Sequence, residues 1–314
     1  MNLEMKKVMI DKIFFDITQY CNGECKYCFT NSTKFSQKNN NELTSNEIID
    51  LLNDLFKIGI KKVSIGGGEP FLKNIEEIVE KTNKEIKISI TSNGTILNRK
   101  FLEQFKQNKN IKLTISLDSL SNEKSNLIRK NINIDKVIEN IKKICQDEES
   151  RQRLSIRTTI SRINYKDIYE IIEFCEENKI ANLKVNSTNE FGRAKNNKDI
   201  ILPFKDFMNL LEELVEYCNN KVKNVNVELP VEKYLKGITR KCMCGTTSLY
   251  INWDGDVYPC AFTEGELLLG NIKNNNINEI INKASEFSHE NNFCNQCPIN
   301  RYKEYERKTV ELIN

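Results

Sequence analysis

Short apolar segments alternate with helix-length amphipathic ones through the first two thirds of the chain, and this alternation constrains the fold more than any other feature. Segments 13–18, 62–65, 86–90, 111–117, 154–160 and 181–185 are rich in isoleucine and valine, as strands covered on both faces tend to be. Helical patterns lie between them. The clearest begins at Thr44-Ser45-Asn46-Glu47, a capping-box sequence, and continues through Ile48, Ile49, Leu51, Leu52 and Leu55. Others cover 74–84, 100–108, 135–149 and 165–178. Six strand–helix units predict a parallel sheet with helices outside it. Six are too few to close an eight-unit barrel. The expected α/β fold is therefore an open or partial barrel, with its site at the C-terminal ends of the strands.

The pattern changes after residue 220. Segments 248–253 and 256–259 flank Asp254-Gly255, a hairpin signal. A helix is expected over 277–287, followed by Cys294-Asn295-Gln296-Cys297 and a charged helix. This tail has too few apolar residues for a large core of its own, so a bound metal is expected to stabilise it. The expected division is a larger unit over 1–220 and a small cysteine-rich unit with a β-hairpin and a helix over 221–314. The 314 residues carry a net charge of +3 with no basic cluster, which argues against nucleic-acid or membrane partners. No apolar run approaches the roughly 20 residues of a spanning helix, and the first ten residues lack the apolar stretch of a signal peptide. A cytoplasmic protein is expected. In a reducing compartment, eleven cysteines point to metal binding or catalysis rather than disulfides.

Three of those cysteines fall within eight residues, Cys21-Asn22-Gly23-Glu24-Cys25-Lys26-Tyr27-Cys28, directly after the first strand. Thiolates are the ligands iron–sulfur clusters prefer. Three of them on a four-iron cubane leave one iron open to an exogenous ligand, much as a catalytic metal site keeps one position open. Zinc is the alternative and would want a fourth ligand; the only histidine, His289, is far along the chain.

The Cys-x3-Cys-x2-Cys spacing, with Tyr27 before the last cysteine, resembles the signature of radical S-adenosylmethionine (SAM) enzymes. The resemblance covers essentially the whole chain. It implies a partial (β/α)6 barrel with a 4Fe–4S cluster on Cys21, Cys25 and Cys28 and SAM bound to that cluster. Gly66-Gly67-Gly68-Glu69-Pro70 looks like the family's GGEP motif, which places Gly67, Gly68 and Glu69 at the SAM amino group. Thr91-Ser92-Asn93-Gly94 is similar to the family's TNG turn and brings in Asn93. Ser116-Leu117-Asp118-Ser119 resembles SLDG, with Ser116 and Asp118 near the SAM ribose or carboxylate; Ser119 stands where the family has glycine. Arg129 lies where the family often pairs an arginine with the SAM carboxylate. Arg193, in Gly192-Arg193-Ala194, resembles a segment near adenosine or substrate.

The tail resembles a shortened SPASM or twitch domain, a type that binds auxiliary 4Fe–4S clusters. Cys244, Gly255 and Cys260 stand in the order and spacing of its opening motif, and Cys294 and Cys297 are followed by no further cysteine. Five thiols suffice for one auxiliary cluster, so Cys244, Cys260, Cys294 and Cys297 are the expected ligands, with Cys242 an alternative for one of them. A structural zinc is the other reading. Cys145, Cys175 and Cys218 sit within helical patterns among apolar neighbours and read as core.

The resemblance implies reductive cleavage of SAM and abstraction of a substrate hydrogen atom by the 5′-deoxyadenosyl radical. An electron donor such as flavodoxin or ferredoxin is implied as partner. Enzymes with such tails often modify ribosomally made peptides, so a peptide crosslink, thioether or epimerisation is the leading expectation. Few residues precede the first strand, so a peptide leader would dock elsewhere or on a separate leader-binding protein. The alternatives are a small-molecule dehydrogenase, for example of an aminocyclitol alcohol, and a non-catalytic iron–sulfur or zinc protein.

Overall fold

The computed structural model describes residues 10–34, 41–230 and 244–286. The expected segments form the strands β1 (Lys12–Asp16), β3 (Lys62–Gly66), β4 (Lys87–Ser92), β5 (Ile111–Ser116), β7 (Leu154–Ile160) and β8 (Asn182–Ser187), all in parallel register. Between them lie α1 (Ser45–Lys57), α2 (Ile75–Lys81), α3 (Arg99–Gln107), α5 (Ile134–Cys145) and α7 (Ile168–Glu177). At α1 both capping-box bonds form: Glu47 N–H donates to Thr44 Oγ1 at 3.2 Å, and Thr44 N–H donates to the Glu47 carboxylate at 2.7 Å. The helix expected over 135–149 is interrupted after Cys145. Asp147 caps a separate short helix, α6 (Glu148–Gln152), through Ser150 N–H at 3.0 Å.

Five further elements complete the barrel. A two-residue strand β2 (Glu24–Cys25), inside the cysteine loop, pairs with β6 (Arg129–Lys130), which follows α4 (Asn122–Ile128). Helix α8 (Phe204–Lys221) buries Phe207, Leu210, Leu211 and Leu214, an i, i+3, i+4, i+7 face. It leads to β9 (Asn226–Glu228), a further parallel strand on β8. In the tail, β10 (Ser248–Ile251), β11 (Asp256–Tyr258) and β12 (Gly270–Asn271) precede α9 (Ile277–Glu286). Strand β10 pairs parallel with β1, so the tail hairpin prolongs the barrel sheet: β12-β11-β10-β1-β3-β4-β5-β7-β8-β9. The two edge strands do not pair with each other, which leaves the barrel open.

The strands are not apolar on both faces. Alternate residues such as Ile13, Phe15, Val63, Ile65, Ile88, Ile90, Ile156 and Leu183 are buried under the helices. The other alternation faces inward and is largely polar or exposed: Lys12, Asp16, Ser64, Arg157, Thr159 and Lys184, with Phe14 42% exposed. The expectation of strands covered on both faces is corrected here. The lumen of the open barrel is a cavity rather than core, so only the helix-facing row needs apolar side chains. Among the described residues no helix is long and apolar enough to cross a membrane.

Candidate functional site

Residues 17–34 leave β1 at its C-terminal end, and hydrogen bonds on two sides hold them. On one side, Gly68 N–H donates to Thr18 O at 2.7 Å and Glu69 N–H to Tyr20 O at 2.9 Å. A Cβ at Gly68 would lie 2.1 Å from the Tyr20 carbonyl oxygen, and Gly67 has φ +106°. The glycine run is thus required by close backbone approach. On the other side, the Arg193 guanidinium donates to Cys25 O at 2.6 Å and Ser32 O at 2.7 Å, and its N–H donates to Cys28 O at 2.8 Å. Within the sheet of β2 and β6, Cys25 stands opposite Arg129.

Cys21, Cys25 and Cys28 line one cavity of about 510 Å³ at the C-terminal ends of the strands. Tyr27, Gly67, Gly68, Asn93, Ser116 and Arg129 line it too. Glu69, Asp118 and Arg193 stand behind its wall. Burial pushes the Cys21 thiol up to about 12, and it also raises the Cys25 thiol despite the nearby Arg129. Thiolates at these positions need the positive charge of a metal beside them. Among the described residues no three metal-binding side chains converge on one point, as the ligands of a single ion would. Thiols set around a shared space suit a cluster, which offers each a separate iron.

Glu69 is fully buried and accepts from Ser92 Oγ at 2.8 Å, Asn93 N–H at 2.7 Å and Phe71 N–H at 3.2 Å. It ties the end of β3 to the end of β4. Burial pushes its carboxyl up to about 7 against those three donors. Asn93 Nδ2 then donates to Asn22 Oδ1 at 2.7 Å and lies 3.9 Å from Cys21 Sγ. Behind Cys25, the Tyr27 hydroxyl donates to Asp118, and Asp118 accepts from Thr159 N–H at 2.7 Å. Arg129 is 3% exposed, donates to Ser116 O and stands 3.6 Å from the Asp118 carboxylate. Its Nε is buried at the cavity wall without a hydrogen-bond partner. Ser119, in place of the family's glycine, donates to Asp167 at 2.6 Å and needs no positive φ. These residues fit a SAM-binding iron–sulfur site: three sulfur donors on one side, and polar groups bordering open space on the other.

In the tail, Cys260 Sγ accepts from Phe262 N–H at 3.5 Å and caps the 3₁₀ turn Ala261–Thr263. Cys244 bridges to Ser248 at the start of β10. Cys242, Cys294, Cys297, His289 and the charged helix expected after Cys297 lie outside the described residues. Phe262 packs edge-on to Phe29 at 5.0 Å and to Phe191 at 4.6 Å, which joins the segment after Cys260 to the segment after Cys28. Cys175 is buried, and Cys145 and Cys218 pack against the core.

Asp16 connects the barrel to the tail. It accepts from Tyr250 Oη at 2.8 Å, and burial pushes its carboxyl from 3.8 up to about 7. A carboxyl whose folded pKa is raised keeps its proton longer in the folded state, so its contribution to stability falls as pH rises from 3.8 to about 7. Asp16→Asn keeps an acceptor for Tyr250 and removes this titration. Urea midpoints should therefore fall less steeply across that pH window in the variant than in the parent.

Sequence reading missed the strand-borne part of the wall: Arg157 and Thr159 on β7, and Asn186 and Thr188 at the end of β8. Its signal is the arginine in the inward phase of Leu-Ser-Ile-Arg-Thr-Thr-Ile.

The comparisons agree with this geometry. The model of the radical SAM superfamily matches residues 15–175, and that of the SPASM iron–sulfur cluster-binding domain matches residues 242–298. A probable GTP 3′,8-cyclase of Methanocaldococcus jannaschii is 33% identical over 239 residues, 74% of this chain and 70% of the relative. The antilisterial bacteriocin subtilosin biosynthesis protein AlbA of Bacillus subtilis is 27% identical over 305 residues, 92% of this chain but only 65% of AlbA. Streptococcus suis SuiB bound to its precursor peptide SuiA shares the fold, with a TM-score of 0.74 and 20% identity over 93% of this chain and 70% of SuiB. Family membership implies a SAM-binding 4Fe–4S cluster in the barrel and auxiliary iron–sulfur binding in the tail. With its three thiols at the head of the strands and a matching domain in the tail, the chain belongs to the radical SAM superfamily and carries a SPASM domain.

Proposed function

We propose that this enzyme modifies a peptide by abstracting a hydrogen atom from it. The observation that carries the reading is the extent of the likeness to AlbA, which runs over 92% of this chain. The probable GTP 3′,8-cyclase of M. jannaschii, in contrast, is similar over 74%. Cys21, Cys25 and Cys28 would hold the barrel cluster, and Cys244 and Cys260, with Cys242, Cys294 and Cys297, a single auxiliary one. Bound in the barrel, the cluster supplies one-electron reduction of SAM and hence the radical that takes the substrate hydrogen.

The chain's own residues position the reactants. Asn93, held by Glu69, orients the Cys21 side of the loop. Tyr27 and Asp118 set Arg129 at the wall for the SAM carboxylate, with Ser116 beside it. Gly67 and Gly68 leave room for the SAM amino group. Arg193 locks the loop from outside, and the aromatic contacts of Phe262 place the tail against it. An electron donor such as flavodoxin or ferredoxin completes the system.

The test is anaerobic incubation of the reconstituted enzyme with SAM, dithionite and short peptides encoded beside its gene, deuterated at their α- and β-carbons. Deuterium in 5′-deoxyadenosine and an altered peptide mass are expected. If GTP, and no peptide, changes the yield of 5′-deoxyadenosine, the peptide reading falls in favour of a nucleotide substrate, which the M. jannaschii relative favours.

A further inference from the structure

Arg157 sits in the inward phase of β7, and its side chain makes no hydrogen bond or ion pair among the described residues. Its Nε is buried without a partner. A guanidinium in a cavity wall with its Nε buried and unpaired calls for an anion. The charges around it do not supply one within the fold. Its register neighbours are Ser116 on β5 and Lys184 on β8. Lys12, on β1, faces the same lumen, and the repulsion of Lys184 and Arg157 adds to burial in lowering its pKa. The groups of opposite charge that act on Arg157 are Tyr27, a phenol whose own proton burial holds in place, and Glu228, the exposed register partner of Lys184. Arg129 differs, because Asp118 already stands 3.6 Å from it.

Arg157 lines the same cavity as the cysteine loop but sits below the rim of the strands. Thr159, opposite Asn186, is two residues nearer the strand ends, so Arg157 lies roughly 7 Å deeper in the lumen. SAM carries a sulfonium and an ammonium against one carboxylate and is a net cation. A group of three cations beyond Arg129 repels it and attracts an anion.

We propose that Arg157, backed by Lys184 and Lys12, is an oxyanion anchor for the substrate, separate from the groups that hold SAM. Thr159 and Asn186 stand beside it as neutral hydrogen-bonding groups. A planar guanidinium takes a carboxylate or a phosphate through paired N–H groups. Resting on the peptide reading, we assign the anion as an aspartate or glutamate side chain next to the modified residue.

The experiment measures equilibrium binding to the reconstituted, SAM-loaded enzyme by ligand-observed NMR. The probes are acetyl-Gly-Glu-Gly-amide, its glutamine counterpart and GTP. The parent should prefer the glutamate peptide over the glutamine peptide by about tenfold, Arg157→Gln should erase that preference, and Arg157→Lys should keep part of it. Iron content and circular dichroism check that each variant is folded, and the parent's own discrimination stands independently of them. Equal binding of the two peptides, with no binding of GTP, overturns the anchor and leaves the peptide reading intact. A preference that survives in Arg157→Gln overturns it too. So does an Arg157→Gln variant that loses affinity for SAM but not for decarboxylated SAM, because Arg157 would then serve the SAM carboxylate. Tight GTP binding that is lost in Arg157→Gln, with neither peptide bound, upholds the anchor and sinks the peptide reading.

Discussion

Alanine at Cys21, Cys25 or Cys28 is expected to reduce SAM cleavage to background. The three thiols line one cavity, and the only other described sulfur atoms of cysteines lie in helices or in the tail. None can take over a lost position, and fewer than three thiolates do not hold a cubane with one open iron. Cys25 is the most constrained. Its backbone pairs with Arg129, its carbonyl accepts from Arg193, and its sulfur is buried beside a cation. The measurement is 5′-deoxyadenosine formed under dithionite after anaerobic reconstitution. Cleavage retained in any one variant would refute the assignment of that cysteine. In the triple variant, iron should fall to the share held by the tail, about four per chain if the auxiliary cluster is complete.

Gly68→Ala should be nearly as damaging, although the residue carries no functional group. Its Cβ would lie 2.1 Å from Tyr20 O and 2.6 Å from Tyr20 C. Both are backbone atoms of the segment that leads into Cys21, so no side chain can swing aside. Relief requires the strand end and the cysteine loop to part, which breaks the bonds from Gly68 and Glu69 to Thr18 and Tyr20. A cost of about 3 kcal/mol or more is expected, together with loss of iron from the barrel. Gly59 is the control: its φ of +93° makes alanine strained there too, but nothing lies within 4 Å of the added atom. Gly59→Ala should cost about 1–2 kcal/mol and leave iron content unchanged. Equal iron loss in both variants would mean that general destabilisation, not the close approach at Tyr20, governs the loop.

The elements were legible to different degrees. The strand over 154–160 has the bounds expected from its sequence, and the capping box at Thr44 forms as written. Helix α8 is harder to recognise, although its apolar residues keep helical spacing, because no capping side chain announces its start after Pro203. Strands β2 and β6 could not be read at all. Two-residue pairings carry no periodicity, and this one exists because the cysteine loop folds onto the end of α4. At the site, Glu69, Asp118 and Arg193 were picked out by motif, yet each acts on this fold through another residue. Glu69 holds Asn93, Asp118 holds Tyr27, and Arg193 holds the loop carbonyls.

By itself, then, the sequence determined the chemistry and the class of fold. Cysteine spacing within one loop is local, and the strand–helix alternation repeats over windows short enough to read. Tertiary structure decided which face of each strand looks inward, and so which residues form the cavity. It set Arg157 beside Lys184 and across from Lys12, residues far apart in the chain, and it continued the barrel sheet into the tail by laying β10 along β1. Those relations depend on register between non-adjacent strands. Register is set by packing over the whole sheet, and no local stretch of sequence encodes it.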